Sequence, residues 1–522
     1  MEMGLFLAAP LILGFSVLYA PVRVRHWLGF LGSLLLVVFT AWMAARDSSS
    51  SISVPFVLET RWMFNSQHAL AAAAFAVSAA PILLLTGVKG RRIQMGFLVL
   101  ALAGAWGVVF AETYLALFLS WEFVTLSTAV IILADERLQS HRIGLRFLLV
   151  HLVAGLSMLF GILMQYNITG SMDIALPASH GVTVLLTLAV GTKAAFLPIH
   201  FWLPFTYPKV SPYATLFLAM LTTKVGIVGV VRLLPPMPFL TYMGGAMAIY
   251  GALMSLAQAR MRPIMSYLII SGMGFMVAAA GVGSNDAALL HMFHHMLYKS
   301  LLFMVILISV DLSRSGDLKK QTAKPLWSLV LALIGSLAAV GLPPFNGYVS
   351  KALVKEAVYG TPVATMLQIA AILTVMSVSR FLYYTYISPN MNRSISPLDA
   401  TDEQLGAIWL TAALVLLTGI FPVIPRDSVA YVYSWSTMWG GLQLVLPGLV
   451  ILLVFRKWLH PKDGMRSRAT FLRKITWEQP KQLFFRLGQM EMEMTQLPNV
   501  QYVIAAFIMI MLMVMLALVT TT

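Results

Sequence analysis

The stretch Gly191-Thr-Lys-Ala-Ala-Phe-Leu-Pro-Ile-His-Phe-Trp-Leu203 decides how this chain is read. It lies in an apolar run long enough to cross a bilayer, yet it holds a lysine, a histidine and a proline. An ammonium group in hydrocarbon is unfavourable by roughly 3 kcal/mol on insertion scales. Pro198 lacks a backbone donor and breaks or kinks a helix, which frees carbonyls near Lys193. The pattern recurs at Gly341-Leu-Pro-Pro-Phe-Asn-Gly-Tyr-Val-Ser-Lys351, where a lysine again stands beside a proline-broken span. Two broken spans, each with a lysine, predict an ion pathway near the middle of a membrane protein.

Composition agrees with that reading. Of the 522 residues, 59% are hydrophobic and 11% are charged, a balance that no soluble chain of this length would show. Apolar runs of ~20 residues recur from end to end, each matching the hydrocarbon thickness of a bilayer. The predicted class is an all-α polytopic membrane protein with about 14–16 transmembrane helices. The spans centre near residues 12, 37, 77, 102, 122, 155, 192, 224, 249, 274, 299, 341, 375, 415, 446 and 510. The first, Leu5 to Tyr19, has no basic region before it and no small-residue cleavage site, so it is expected to be retained as a span. The chain has no cysteine, which excludes disulfides, thiolate metal sites and iron–sulfur clusters within it.

The net charge of +15 does not suggest nucleic acid, because most of it sits in loops. Basic loops follow the odd-numbered spans: Arg23–His26, Lys89–Arg92, Arg137–Arg146, Arg260–Arg262, Arg314–Lys324 and Arg456–Arg486. Loops after even-numbered spans are poor in Lys and Arg, as over 166–180 and 281–286. The positive-inside rule then places both termini outside the cytoplasmic membrane of a prokaryotic cell. Arg456 to Pro498 is basic with interspersed Phe471, Ile475, Phe484 and Phe485, which predicts a surface helix; Tyr502 to Val519 follows as a last span.

Several buried ionisable residues could carry chemistry. Glu122, in Phe118-Leu-Ser-Trp-Glu-Phe-Val, stands mid-span and must be protonated or paired; Lys193 is the expected partner. A structural ion pair is the plainer alternative. Lys224 follows Thr222 and Thr223 in the next span. His291, His295 and Lys299 recur at i, i+4 and i+8, on one face of a helix. A zinc pair is disfavoured there, since no cysteine or carboxylate joins the face and a lysine would repel the metal. A proton relay fits better. Lys351 follows the second break, while His151, Lys209 and Arg380 carry less weight and Glu112 is a span-end carboxylate on an access side. Glu122, Lys193, Lys224, His291, His295, Lys299 and Lys351 thus form a series along which a proton can pass. The paired breaks imply two inverted five-helix half-channels. The expected units are 1–92, N-terminal helices; 93–235 and 236–390, the half-channel repeats; 391–455, further spans; and 456–522, the surface helix and last span.

These motifs resemble the antiporter-like subunits of respiratory complex I, Mrp-type cation/proton antiporters and membrane-bound hydrogenases. Trp121-Glu122 is similar to the family's carboxylate on its fifth span. Lys193 with Phe196-Leu-Pro-Ile-His-Phe-Trp-Leu-Pro204 is similar to its broken seventh span, and Thr223-Lys224-Val-Gly to its eighth. His291-x3-His295-x3-Lys299-x-Leu-Leu-Phe and Gly341-Leu-Pro-Pro-Phe-x-Gly-x-x-Ser-Lys351 match closely. The resemblance covers residues 95 to 360. Two departures stand out: Phe205-Thr-Tyr-Pro-Lys-Val-Ser-Pro212 replaces an Ala-Pro-Thr-Pro loop, and Gly272 stands where a histidine is usual. The resemblance implies proton translocation, with sodium/proton exchange as a variant, in a complex I-like or hydrogenase-like assembly with other membrane subunits in the lipid bilayer. The rival readings are a subunit of an Mrp-type sodium/proton antiporter and the membrane subunit of an ion-coupled inorganic-carbon uptake complex. No cofactor of its own is expected.

Overall fold

The computed structural model describes residues 2–46, 51–55, 59–86, 92–135, 138–175, 177–322, 324–388, 401–424 and 426–454. The expected surface helix and last span, 456–522, lie outside the described residues. The helices are α1 (Glu2–Tyr19), α2 (Val22–Ala45), α3 (Ser66–Thr86), α4 (Arg92–Phe110), α5 (Tyr114–Leu133), α6 (Leu138–Thr169), α7 (His180–Lys193), α8 (Trp202–Thr206), α9 (Pro212–Leu233) and α10 (Pro238–Leu256). They continue as α11 (Met261–Gly281), α12 (Asn285–Ser313), α13 (Leu326–Val340), α14 (Asn346–Ala357), α15 (Pro362–Leu382), α16 (Asp402–Ile420), α17 (Arg426–Val432), α18 (Trp435–Leu442) and α19 (Val445–Val454). Strands β1 (Ser51–Pro55) and β2 (Glu59–Met63) form an antiparallel hairpin between α2 and α3, with Ser51 opposite Met63.

Among the described residues, thirteen helical stretches are long and apolar enough to cross a membrane. Two more crossings are broken pairs, α7 with α8 and α13 with α14. Every expected span centre from 12 to 446 falls on one of these fifteen crossings. The bundle is an all-α polytopic membrane fold. Its middle helices are hidden on all sides: α9 and α11 are each 94% buried over their apolar windows, against 28% for α1 and α2. The ionisable helices therefore sit in the interior and the N-terminal pair at the periphery.

The two breaks are built alike. In α7 the Phe196 N–H reaches back to Gly191 O at 2.8 Å, and at the end of α13 the Leu342 N–H reaches Leu337 O at 3.1 Å. Such six-to-one bonds satisfy carbonyls left over where a helix stops. Gly341 takes the left-handed conformation there (φ 89°), which glycine adopts without steric strain. The prolines that follow, Pro198 and Pro343–Pro344, prevent the helix from resuming at once. Close backbone approach then sets the crossing of the second pair. A Cβ on Gly347 would overlap the Ala338 carbonyl oxygen, which is backbone and cannot swing away. Gly347→Ala is expected to destabilise the folded chain by about 1–3 kcal/mol through overpacking, read as an earlier thermal transition in detergent.

Candidate functional site

Glu122 is a middle residue of α5 and 2% exposed, so its carboxylate lies far from bulk water. It rests against Gly155 of α6, where a Cβ would strike an oxygen of the carboxylate. Neither carboxylate oxygen has a hydrogen-bond partner among the described residues. Lys193, the last residue of α7 and 1% exposed, approaches the same helix. Its ammonium donates to Thr125 Oγ1 at 2.8 Å and Trp121 O at 3.3 Å, and sits 4.4 Å from the Trp121 ring centroid. The expected partners are thus brought together electrostatically, without forming a hydrogen bond. Lys193 takes the carbonyl of the residue before Glu122 and the hydroxyl three residues after it, instead of the carboxylate itself.

The break supplies the room for this. Trp202, the first residue of α8, donates its indole N–H to Thr192 O at 2.7 Å and so takes up a carbonyl near the end of α7. Gly226 of α9 packs on the backbone of Lys193 and Ala194, where a Cβ would lie 2.5 Å from the Ala194 nitrogen. Lys224 lies two residues earlier in α9. Lys224 is fully buried and donates to Ala219 O at 2.5 Å and Thr223 Oγ1 at 3.2 Å.

The α12 stripe continues the row. His291 and His295 are fully buried, with ring centroids 6.0 Å apart, and Lys299 is 2% exposed. His291 Nδ1 pairs with Ser350 Oγ of α14 at 2.9 Å, next to Lys351. Lys351 donates to Ala339 O at 2.5 Å and Val340 O at 3.3 Å, the free carbonyls at the end of α13, where the helix dipole favours a cation. Lys224 and Lys351 are both within electrostatic reach of Lys299. Among the described residues no group of three or more His, Cys, Asp or Glu side chains could hold a metal.

One departure from the family pattern has a physical reason here. A Cβ on Gly272 would overlap the ring of His295. The volume that a histidine on α11 would need is filled by the imidazole of α12.

Sequence reasoning gave other contributors little weight. His151 of α6 is 1% exposed, stacks edge-on against Trp202 at 4.7 Å and lies within electrostatic reach of Lys193. Its position one turn before Gly155 was the available signal. His200, in the break, pairs through Nε2 with the Tyr250 hydroxyl of α10 at 2.9 Å, joining the break to α10. Lys209 and Arg146 flank Phe205 at 3.2 and 5.2 Å from its ring centroid, in the loop that departs from the family pattern.

A helical bundle that buries ionisable side chains in its spans near two broken helices defines a membrane protein with charge in its interior. The chain belongs to the family described as NADH:quinone oxidoreductase/Mrp antiporter, TM, which matches residues 111–377. It is 26% identical over 385 residues to NADH-ubiquinone oxidoreductase chain 5 of Metridium senile, covering 65% of this chain and 64% of that one. It is also 26% identical over 292 residues to a Na(+)/H(+) antiporter subunit of Bacillus subtilis (strain 168), covering 49% of this chain and 36% of that one. The chain therefore spans less than two thirds of these curated relatives. In fold it matches a chain of the Mrp complex from Dietzia sp. DQ12-45-1b at a TM-score of 0.76 and 19% identity, over 100% of this chain and 63% of that one.

Proposed function

We propose that this chain is a proton-translocating, antiporter-like subunit of a multisubunit membrane complex of the complex I-like or hydrogenase-like kind. The observation that carries this reading is the buried row itself: Glu122 and Lys193, then Lys224, then His295, His291 and Lys299, then Lys351. Buried ionisable groups in spans are unfavourable unless they are used, and these follow one another through packed helices. Residues 93–235 and 236–390 are the two half-channels, each with one broken crossing and one lysine beside the break. Neutral imidazole accepts a proton on one nitrogen and donates from the other, which suits His291 and His295 to link them.

The protein chain moves charge and its partners supply the energy, either from a redox reaction or from an existing ion gradient. The naming of relatives as oxidoreductase and antiporter subunits supports membrane partners of both kinds. Its place is the cytoplasmic membrane of a prokaryotic cell with both termini outward, as the alternation of basic loops predicts.

The test is purification with the native partners followed by transport in inverted membrane vesicles. Vesicles from cells that carry the whole complex are expected to build a proton gradient, which is absent when the chain is deleted. Removing residues 456–522, read as a surface helix and anchoring span, is expected to release partner subunits while leaving expression of the remaining spans close to normal. Co-purification of every partner with the truncated chain would contradict the anchoring role. A gradient that needs sodium on one side would shift the reading from pump to exchanger.

A further inference from the structure

The buried row leaves one charged residue of α9 unused. Arg232 lies two turns beyond Lys224, near the end of α9, and its side chain is only 8% exposed. Its Nη1 donates to Val109 O and, at 3.4 Å, to Val108 O. Its Nη2 donates to Ala111 O and stands 3.8 Å from Glu112 Oε1. Val108 and Val109 lie in the last turn of α4, where the carbonyls have no partner within the helix and carry the negative end of its dipole. Three carbonyl oxygens and one carboxylate oxygen converging on one positive group are the donor set that suits a small hard cation.

Neighbouring segments hold that cradle in place independently of Arg232. The Glu112 N–H donates to Arg61 O at 2.8 Å, and the Ile174 N–H donates to Glu112 O at 3.0 Å. The Arg61 N–H donates to Thr113 Oγ1 at 3.1 Å, and the Arg61 guanidinium pairs with Asp173. The hairpin and the segment after α6 thus clamp residues 111–113 from both sides. The Glu112 side chain is 26% exposed, so the cradle reaches the surface at the mouth predicted to face outward.

We infer that Arg232 is a tethered cation filling a monovalent-cation site at the mouth of the first half-channel, and that by filling it Arg232 makes this chain select protons over sodium. A free ion would bind there and leave; a guanidinium on a helix cannot. The selectivity part rests on the proton-translocation reading given above, but the cation site does not, so the test reads binding and not transport. Full-length chain is purified in sodium chloride and, separately, in choline chloride at equal ionic strength, and bound ²²Na⁺ and melting temperature are measured. The original chain is expected to bind no sodium at this site and to melt alike in both salts. Arg232→Gln is expected to bind about one sodium ion per chain and to melt higher in sodium than in choline, because a ligand that binds only the folded state raises its stability. Adding Glu112→Gln to that variant is expected to weaken the sodium binding at least about tenfold, since one charged donor is lost. Arg232→Lys keeps a tethered charge and is expected to fold and stay indifferent to sodium. A folded Arg232→Gln chain that binds no sodium overturns the proposal. So does loss of the fold in both salts with glutamine and with lysine alike, which would mean that the guanidinium acts as a structural clamp.

Discussion

Lys299→Met is expected to lower proton transport at least about tenfold, the equivalent of ~1.4 kcal/mol on the barrier, in a complex that still assembles. Lys299, like His291 and His295, lies within electrostatic reach of both Lys224 and Lys351, which puts it inside the proposed row. Methionine has a similar shape and no charge, so packing is conserved and only the proton carrier is lost. Lys299→Arg is expected to fail nearly as badly, because arginine keeps the charge and cannot release a proton. His295→Gln is expected to slow transport to a lesser degree, since His291 keeps its bond to Ser350 and still faces α14. Chelators are expected to have no effect. Stoichiometric zinc in the purified chain, lost together with activity in His291→Ala, would replace the relay by the metal site that the lysine on this face argues against.

Glu122→Gln and Lys193→Met are each expected to suppress transport by about tenfold or more while leaving partners bound. The pair is open in the structure: Lys193 is held by Thr125 and Trp121, and both oxygens of Glu122 stand unpartnered in a buried site. A lysine that alternates between Thr125 Oγ1 and Trp121 O on one side and the Glu122 carboxylate on the other would change the charge felt further along the row. A purely structural pair behaves differently. Removing one member of such a pair leaves an uncompensated buried charge and destabilises by about 3–5 kcal/mol, and removing both restores stability. The double variant Glu122→Gln/Lys193→Met therefore decides between the two. It is expected to melt close to the original chain and still to transport poorly; recovery of transport along with stability would reduce the pair to a structural one.

Much of this was legible in the sequence, for identifiable reasons. A run of ~20 apolar residues has one stable outcome in a bilayer, so the spans from 12 to 446 could be placed by hydropathy alone. Proline inside such a run has few consequences, so both breaks were foreseeable. The i, i+4, i+8 spacing put His291, His295 and Lys299 on one face before any neighbour was known. What spacing does not contain is the partner. Whether the Lys193 ammonium meets the Glu122 carboxylate or the carbonyl beside it depends on how far α7 unwinds and on Trp202 taking Thr192 O. His151 looked like any histidine in a span until α6 packed beside Trp202. Nothing in the spacing around Arg232 names its partners; the hairpin and the segment after α6 turn residues 108–112 into a cradle around it. The meaning of Gly272 likewise required the ring of His295 to be placed against it.

The most direct measurement is proton flux through the purified complex, reconstituted in liposomes with no sodium on either side, comparing the original chain with the assembled Lys299→Met variant. The buried row predicts proton movement without sodium in the first and a flux at least about tenfold lower in the second, with partner stoichiometry unchanged. Undiminished sodium-free flux in a correctly assembled Lys299→Met complex would contradict it and place the proton path outside this row.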